Sequence, residues 1–422
     1  MAGPTCQNFW ILTCQNLRTP QSAHATALTV VRHRPYLSER VFPPAPFKLA
    51  TLGIQLLHGL RALDRERRKW WQEREPRRPQ TLRSQTARYP FAPYPRGWYG
   101  FAYADDIHRG DVRTVHALGE EWVVWRGQSG AVGIASATCP HLGAHLGVGG
   151  RVVNDSVRCR MHGFCFEPDG TCTATGYDSR PTAKTRAKVL PAVERAGFIM
   201  GYYDPDGVDA AWELPPLLLA DPGPMHRIFF RMGCHAQDIA ENTVDIGHFA
   251  STHGYSKVEQ IARITSDART FRTRYALTRS ANIFGSPKSV RVAIDFKLHG
   301  LGLFEIEGHT EPGGVVSRFV FASTPVTPDQ LDFRIGLWCP RAGDGGPSRL
   351  AALIPQRLKR QLIGHMIALG TRLDVAQDVR VLNRKRYLER PALAKGDGRI
   401  GEFRAWAKQF YPQLAPMMEG SS

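Results

Sequence analysis

No run in this 422-residue chain stays apolar for the ~18 residues that a membrane-spanning helix needs. No spanning helix is therefore expected. Acidic residues are scarce: 38 Asp and Glu stand against 55 Lys and Arg, giving a formal net charge of +17 and a pI near 9.8. Such an excess can signal nucleic-acid binding, yet no helix-turn-helix, zinc-finger or RNA-recognition signature accompanies it, and nucleic acid is excluded as a partner. The eight cysteines are too thinly spread for a disulfide scaffold, which favours a reducing, cytoplasmic setting. No dinucleotide fingerprint, a G-x-G-x-x-G turn between a strand and a helix, is read, and no internal repeat is apparent. The length points to two domains plus an extension.

Against these absences stands one dense pattern. Cys139 and His141, then Cys159 and His162, spell C-x-H, seventeen residues, C-x-x-H. Two Cys and two His also suit tetrahedral zinc, but zinc modules place like ligands together, whereas each pair here is mixed. Two thiolates on one iron and two imidazoles on the other describe a Rieske [2Fe-2S] cluster, whose His ligands raise its potential to roughly −150 to +300 mV. The chain is thus expected to handle single electrons. Each half-motif is expected at the tip of a hairpin-like loop, with the N-H groups of Gly143, Gly147 and Gly163 free to approach sulfide. His145 lies outside the spacing and is read as a hydrogen-bonding residue. Cys165 and Cys172 are read as structural thiols.

The chain divides into segments. Residues 1–90 form an extension, acid-poor at its start, where Glu39 is the one acid before residue 46. Those first residues are read as disordered, with a targeting peptide or translation from upstream of the natural start as alternatives. Leu49, Leu52, Leu56, Leu57, Leu60 and Leu63 recur at helical spacing and lead into the basic and aromatic stretch Arg65–Trp71. That amphipathic helix either packs on the protein's own body or rests on an anionic membrane surface, making the protein cytoplasmic or peripheral to a membrane. From Arg61 to Arg88 ten Lys/Arg outnumber four Asp/Glu, a solvated face or an attraction for an acidic electron donor. Residues 91–210 read as short strands and turns, an all-β domain carrying the cluster. Residues 225–415 read as a strand from Arg227, a helix from Asp238 to His253, alternating strands to Trp338, and helices near Leu350–Leu373 and Ile400–Tyr411. The class is α+β, an antiparallel sheet gripping helices around a pocket. The same-face pairs Leu301 with Leu303, Phe304 with Ile306 and Phe319 with Phe321 either line an apolar cavity or belong to the core.

Asp245, His248 and His253 form D-x-x-H-x-x-x-x-H. Two imidazoles and a carboxylate on one side of iron leave positions open for oxygen. On a regular helix His248 and His253 stand about 140° apart, so they can share a metal only where the helix distorts or ends.

With both motifs present in this order, residues 95 to 412 resemble the oxygenase (alpha) component of the Rieske non-heme iron oxygenases. The run Tyr387, Arg390-Pro391, Asp397-Gly398, Arg404, Trp406 and Gln409-Phe410-Tyr411 looks like the 3-ketosteroid 9α-hydroxylase and cholesterol 7-desaturase branch. The resemblance implies a helix-grip catalytic domain and a homotrimer in which one subunit's cluster feeds its neighbour's iron. It implies His248 and His253 as Fe(2+) ligands and Asp378, in Gln377-Asp378-Val379-Arg380, as the third, with Asp374 as the alternative. Asp245 is expected to bind neither metal: its carboxylate would orient His248 and meet His162 of the adjacent subunit. The implied activity is a monooxygenase or desaturase reaction using O2 and NAD(P)H electrons, delivered through a ferredoxin or ferredoxin reductase, on an apolar sterol or steroid. An aromatic-ring hydroxylase or an oxidative demethylase stays open, and a Rieske electron carrier is the non-enzyme alternative.

Overall fold

Strand β1 (Gly97–Tyr103) is buried at all seven positions, and β11 (Phe198–Tyr203) at five of six. A strand reads as an unbroken apolar run when both of its faces are covered. These two, with β10 (Ala192–Arg195), make a three-stranded antiparallel plate in a computed structural model that describes residues 88–412 apart from 178, 183, 208–209, 218–222, 284–285, 312–313 and 343–354. The helix expected at Leu49–Trp71 lies outside the described residues.

The plate's two faces serve different cores. Tyr99, Phe101 and Ile199 pack with Trp122, Val124 and Ile134 of the sheet formed by β2 (Val112–Ala117), β3 (Glu120–Arg126), β4 (Val132–Ser136) and β9 (Val189–Leu190). Trp98, Phe198, Met200 and Tyr202 pack instead with Leu303, Ala322 and Trp338 further along the chain. A third small sheet, β5 (Arg151–Val153), β6 (Ser156–Arg158), β7 (Cys165–Phe166) and β8 (Cys172–Ala174), completes the first half.

The second half is built on one eight-stranded antiparallel sheet. Its order is β12 (His226–Met232), β19 (Gln330–Ala342), β18 (Val315–Thr327), β17 (Leu303–Glu311), β16 (Ser286–His299), β15 (Thr270–Ile283) and β13 (Ser256–Gln260), with β14 (Thr265–Ser266) also on β15. Register assigns its faces, because directly opposed residues point the same way. Phe296, Ile306, Phe319 and Leu337 oppose one another in turn, as do Leu298, Phe304, Phe321 and Ile335. This face takes the helices: Phe249 of α2 (Ile246–Ser251) stacks on Phe296, while Phe403 and Trp406 of α4 (Ile400–Ala407) meet Phe271. Leu303 and Ala322 oppose one another on the other face. There a Cβ placed on Gly100 of β1 would come within 2.7 Å of that of Ala322.

Three helical expectations are revised. The stretch Asp238–His253 is two helices, α1 (Ala236–Asn242) and α2, separated at Thr243–Asp245. Thr243 Oγ1 donates back to the Ala240 carbonyl, and Asp245 starts α2 as its N-cap. The long helix α3 runs Gln356–Leu382, nine residues past the expected stop at Leu373. The last helix gives way at Ala407 to a short 3-10 turn, Lys408–Phe410. The letters G-x-G-x-x-G do occur, at Gly396, Gly398 and Gly401, but they run from the coil after α3 into the first turn of α4 with no strand before them. They are no dinucleotide fingerprint.

Candidate active site

The two Cys/His loops share one backbone design. Cys139 N donates to Ala144 O and Gly143 N returns to Cys139 O, at 2.8 and 2.9 Å; Cys159 N to Phe164 O and Gly163 N to Cys159 O repeat this at 2.8 and 3.1 Å. Gly143 and Gly163 close the turns at φ of +77° and +71°, a region that suits glycine. Those two N-H groups are therefore spent on carbonyls, and Gly147 N donates to His145 Nδ1, so the expectation that all three point freely at sulfide is corrected. His145 Nε2 sits 3.3 Å from Glu121.

Cys139 and Cys159 are each 2% exposed. The rings of His141 and His162 lie nearly perpendicular with centroids 4.8 Å apart, and His141 stacks on Phe164 at 4.2 Å. Burial pushes the Cys139 thiol up to about 11, the His141 N-H opposing it and Cys159 adding to it. His141 Nδ1 is buried with no hydrogen-bond partner. Adjacent buried thiols and an imidazole nitrogen with no protein partner form a donor set that fits a thiolate- and imidazole-ligated cluster. Cys165 and Cys172 are free thiols that donate to Gly163 O and Ala174 O. Leu142, Val148, Met161 and Tyr177 stand exposed around the loops, and Arg151, Arg158 and Arg160 line a hollow of about 450 Å³ beside His162.

The second donor set gathers from two elements. His248 lies on α2, which ends at Ser251, so His253 is just past its cap, before Gly254 at φ +68°. Leaving the helix frees His253 from the 140° separation. Asp378 comes from α3, and the ligand atoms of His248, His253 and Asp378 all lie within 4.8 Å of one another. His253 Nε2 is 3.4 Å from Asp378 Oδ1, and the imidazole centroids are 5.1 Å apart. Burial pulls His248 below the ordinary histidine value, whereas at His253 burial is outweighed by Asp378 and Gln377, leaving it raised. The two imidazoles and one carboxylate leave one side of a bound ion open, and the set fits iron.

Around this set each group has a distinct task. Asp245 differs from expectation: its carboxylate Oδ1 caps α2 by accepting His248 N at 3.3 Å, while the His248 imidazole Nδ1 donates to the Asp245 backbone carbonyl at 2.5 Å. With its Nδ1 proton spent on that carbonyl and its Nε2 turned to the donor set, the ring has no N-H left for the carboxylate. Asp374 accepts from Tyr255 Oη at 2.7 Å and lies 3.3 Å from Arg279 Nη1, a clamp and not a member of the donor set. Behind α1 the chain hides a charged quartet that the sequence did not disclose. Buried Glu241 meets Arg404 Nε at 2.7 Å and Lys385 Nζ at 3.1 Å, and Lys385 reaches buried Asp238 at 3.2 Å. Arg88 holds the carbonyls of Gly233 and Leu382 at 2.7 and 3.0 Å, stitching α1's approach to the end of α3.

The helix-facing side of the sheet is not fully covered. Val292, Ile294, Phe319 and Phe321 point toward the helices yet stay half-buried, as do Phe230 on β12 and Val379 on α3. Phe304 and Ile306 share that face but are core, and Leu303 faces β1, so of the three expected pairs Phe319 with Phe321 remains partly open. Among the described residues no helix is long and apolar enough to cross a membrane.

A small β domain with paired Cys-His loops, joined to a helix-gripping sheet with two imidazoles and a carboxylate, defines an iron-dependent oxygenase of Rieske type. Comparison narrows the class. Residues 97–187 match the Rieske [2Fe-2S] domain, and residues 201–411 match the 3-Ketosteroid 9alpha-hydroxylase C-terminal domain. Cholesterol 7-desaturase of Ciona intestinalis is 29% identical over 77% of this chain and 70% of its own length, and that of Drosophila melanogaster 29% over 76% and 75%. A probable 3-ketosteroid-9-alpha-monooxygenase, oxygenase component, of Rhodococcus rhodochrous is 25% identical over 75% and 80%. Among solved structures, apo dicamba monooxygenase shares the fold at a TM-score of 0.54 and 19% identity, covering 76% of this chain and 98% of its own. The chain belongs to the Rieske non-heme iron oxygenases, as an oxygenase component in the branch of the 3-ketosteroid 9α-hydroxylases and cholesterol 7-desaturases.

Proposed function

We propose that this enzyme hydroxylates or desaturates a sterol or steroid. The observation that carries the reading is the half-buried apolar face of Val292, Ile294, Phe319 and Phe321, set on the sheet that grips the helix bearing His248. A rigid tetracyclic substrate needs a long apolar bed with few polar anchors. The relatives named for cholesterol and for 3-ketosteroids support the same class.

Cys139, His141, Cys159 and His162 hold the [2Fe-2S] cluster, and His248, His253 and Asp378 the mononuclear iron. Bound there, these groups supply one-electron transfer and activation of O2, with NAD(P)H electrons entering through a separate ferredoxin or ferredoxin reductase. The chain's own residues do the rest. The sheet face binds the substrate's apolar surface and keeps water from it, and His248 presents its Nε2 because the Asp245 carbonyl holds the proton on Nδ1. In a head-to-tail homotrimer the second oxygen of Asp245 meets His162 of the adjacent subunit, joining the two sites across the interface. The exposed rim Leu142, Val148, Met161 and Tyr177 supports such a docking.

Turnover of sterols, 3-ketosteroids and small aromatics with a generic ferredoxin and reductase tests the proposal. Oxygen uptake coupled to a hydroxylated or desaturated steroid is expected. Activity confined to small aromatics would overturn the substrate class.

A further inference from the structure

The two imidazoles of the donor set are oriented by unlike means. His248 Nδ1 is held by a backbone carbonyl, which no substitution removes. His253 Nδ1 lies 2.9 Å from the side-chain Oε1 of Gln377, an exposed residue adjacent to Asp378 on α3. An amide oxygen only accepts, so it fixes the proton on Nδ1 and leaves Nε2, 3.4 Å from Asp378 Oδ1, as the atom that would ligate a metal shared with that carboxylate. Successive helix residues are turned about 100° from each other. Gln377 and Asp378 therefore straddle the His253 ring, one at each nitrogen. The clamp one turn earlier, Asp374 with Tyr255 and Arg279, ties α3 to the segment that follows His253 and so fixes the height at which Gln377 meets the ring.

We infer that Gln377 is a positioning residue that sets the His253 tautomer and thereby the affinity of the site for its metal. This rests on reading His248, His253 and Asp378 as iron ligands. Outer partners of ligating histidines change metal affinity by about 10- to 100-fold when lost. Glutamate at 377 keeps an acceptor at the same reach and adds a negative charge, so it preserves or tightens binding, whereas leucine matches the volume and accepts nothing.

The test uses the full chain with its [2Fe-2S] cluster in place and the mononuclear site stripped by chelation. Fe(II) and Co(II) are titrated anaerobically against a competing chelator, and the d–d bands of the Co(II) form are recorded. Gln377→Leu is expected to weaken both metals by ~10- to 100-fold and to shift those bands, with cluster spectrum and Tm unchanged, and Gln377→Glu to restore affinity to the original level or above. Wild-type affinity in Gln377→Leu would overturn the inference, as would equal losses in the Leu and Glu variants or a loss that follows a fall in Tm. A native chain that binds neither metal would instead overturn the ligand assignment beneath it.

Discussion

Glu241→Leu breaks the buried charged quartet behind α1. Glu241 is 6% exposed, its partner Arg404 has a side chain 12% exposed, and Lys385 one 28% exposed. Burial alone would raise the Glu241 carboxyl, but Arg404 and Lys385 overcome it and hold the group ionised below its ordinary value. Removing one member of such a pair leaves a buried cation uncompensated, at about 3–5 kcal/mol. With an unfolding entropy of roughly 2.1 cal/mol/K per residue over residues 88–412, this corresponds to a fall in Tm of ~4–7 °C. Since the quartet joins α1 to the ends of α3 and α4, Fe(II) retention should fall with stability. Glu241→Leu combined with Arg404→Met replaces both partners by apolar groups, and should recover a large part of the loss while Lys385 keeps Asp238. Calorimetry on the two variants decides it. A single variant costing under ~1 kcal/mol, or a double variant no better than the single, would refute the reasoning.

Asp378→Asn should lose mononuclear iron by metal analysis and keep the visible cluster spectrum, whereas Asp374→Asn should retain iron; the reverse pattern would exchange their roles. His141→Cys should raise the average g-value of the reduced cluster, and an unchanged spectrum would remove His141 from the ligand set. His235 is buried and held down to about 4, against 6.5 when unfolded. Between those values the unfolded chain takes up a proton that the folded chain refuses, so stability declines as pH falls from ~6.5 and levels off below ~4, by up to ~3 kcal/mol. His235→Asn keeps an acceptor for the N-terminus of α1 and should flatten this decline in urea titrations at pH 7 and 5, while an unchanged slope would assign it to other groups.

What could be read in advance depended on how local each feature is. The cluster loops were legible because four ligands and two turn glycines lie within 25 residues, so spacing alone carries the geometry. The departure of His253 from its helix was legible as a necessity, since 140° forbids a shared ion. How the break is made, with Asp245 capping a separate α2, depends on a side-chain rotamer that no periodicity reports. The same rotamer moved Asp245's carboxylate from the imidazole to the backbone amide. α3 passed its expected end because Asp374, Gln377 and Asp378 blur its apolar period, while contact with the donor set and with Tyr255 holds those polar residues in helix. Gln377 was visible as a letter and silent as a role, for its partner lies 124 residues away. The quartet was illegible for that reason too: Glu241 and Arg404 are 163 residues apart.

The plate of β1, β10 and β11 has a bearing on timing. Its alternate residues belong to two cores at once, Thr324 and Arg334 of the large sheet both donate to the Gly100 carbonyl, and Trp98 Nε1 donates to Trp212 O. A swinging arm would need a slippery joint, and this one is glued on both sides. The separation of the Cys-His loops from the His248, His253 and Asp378 set within one chain is accordingly held constant by the fold, so a swing of one domain against the other does not time electron delivery. Pulsed dipolar measurements between spin labels placed on β3 and on β17 should return one narrow distance, the same in oxidised and reduced protein.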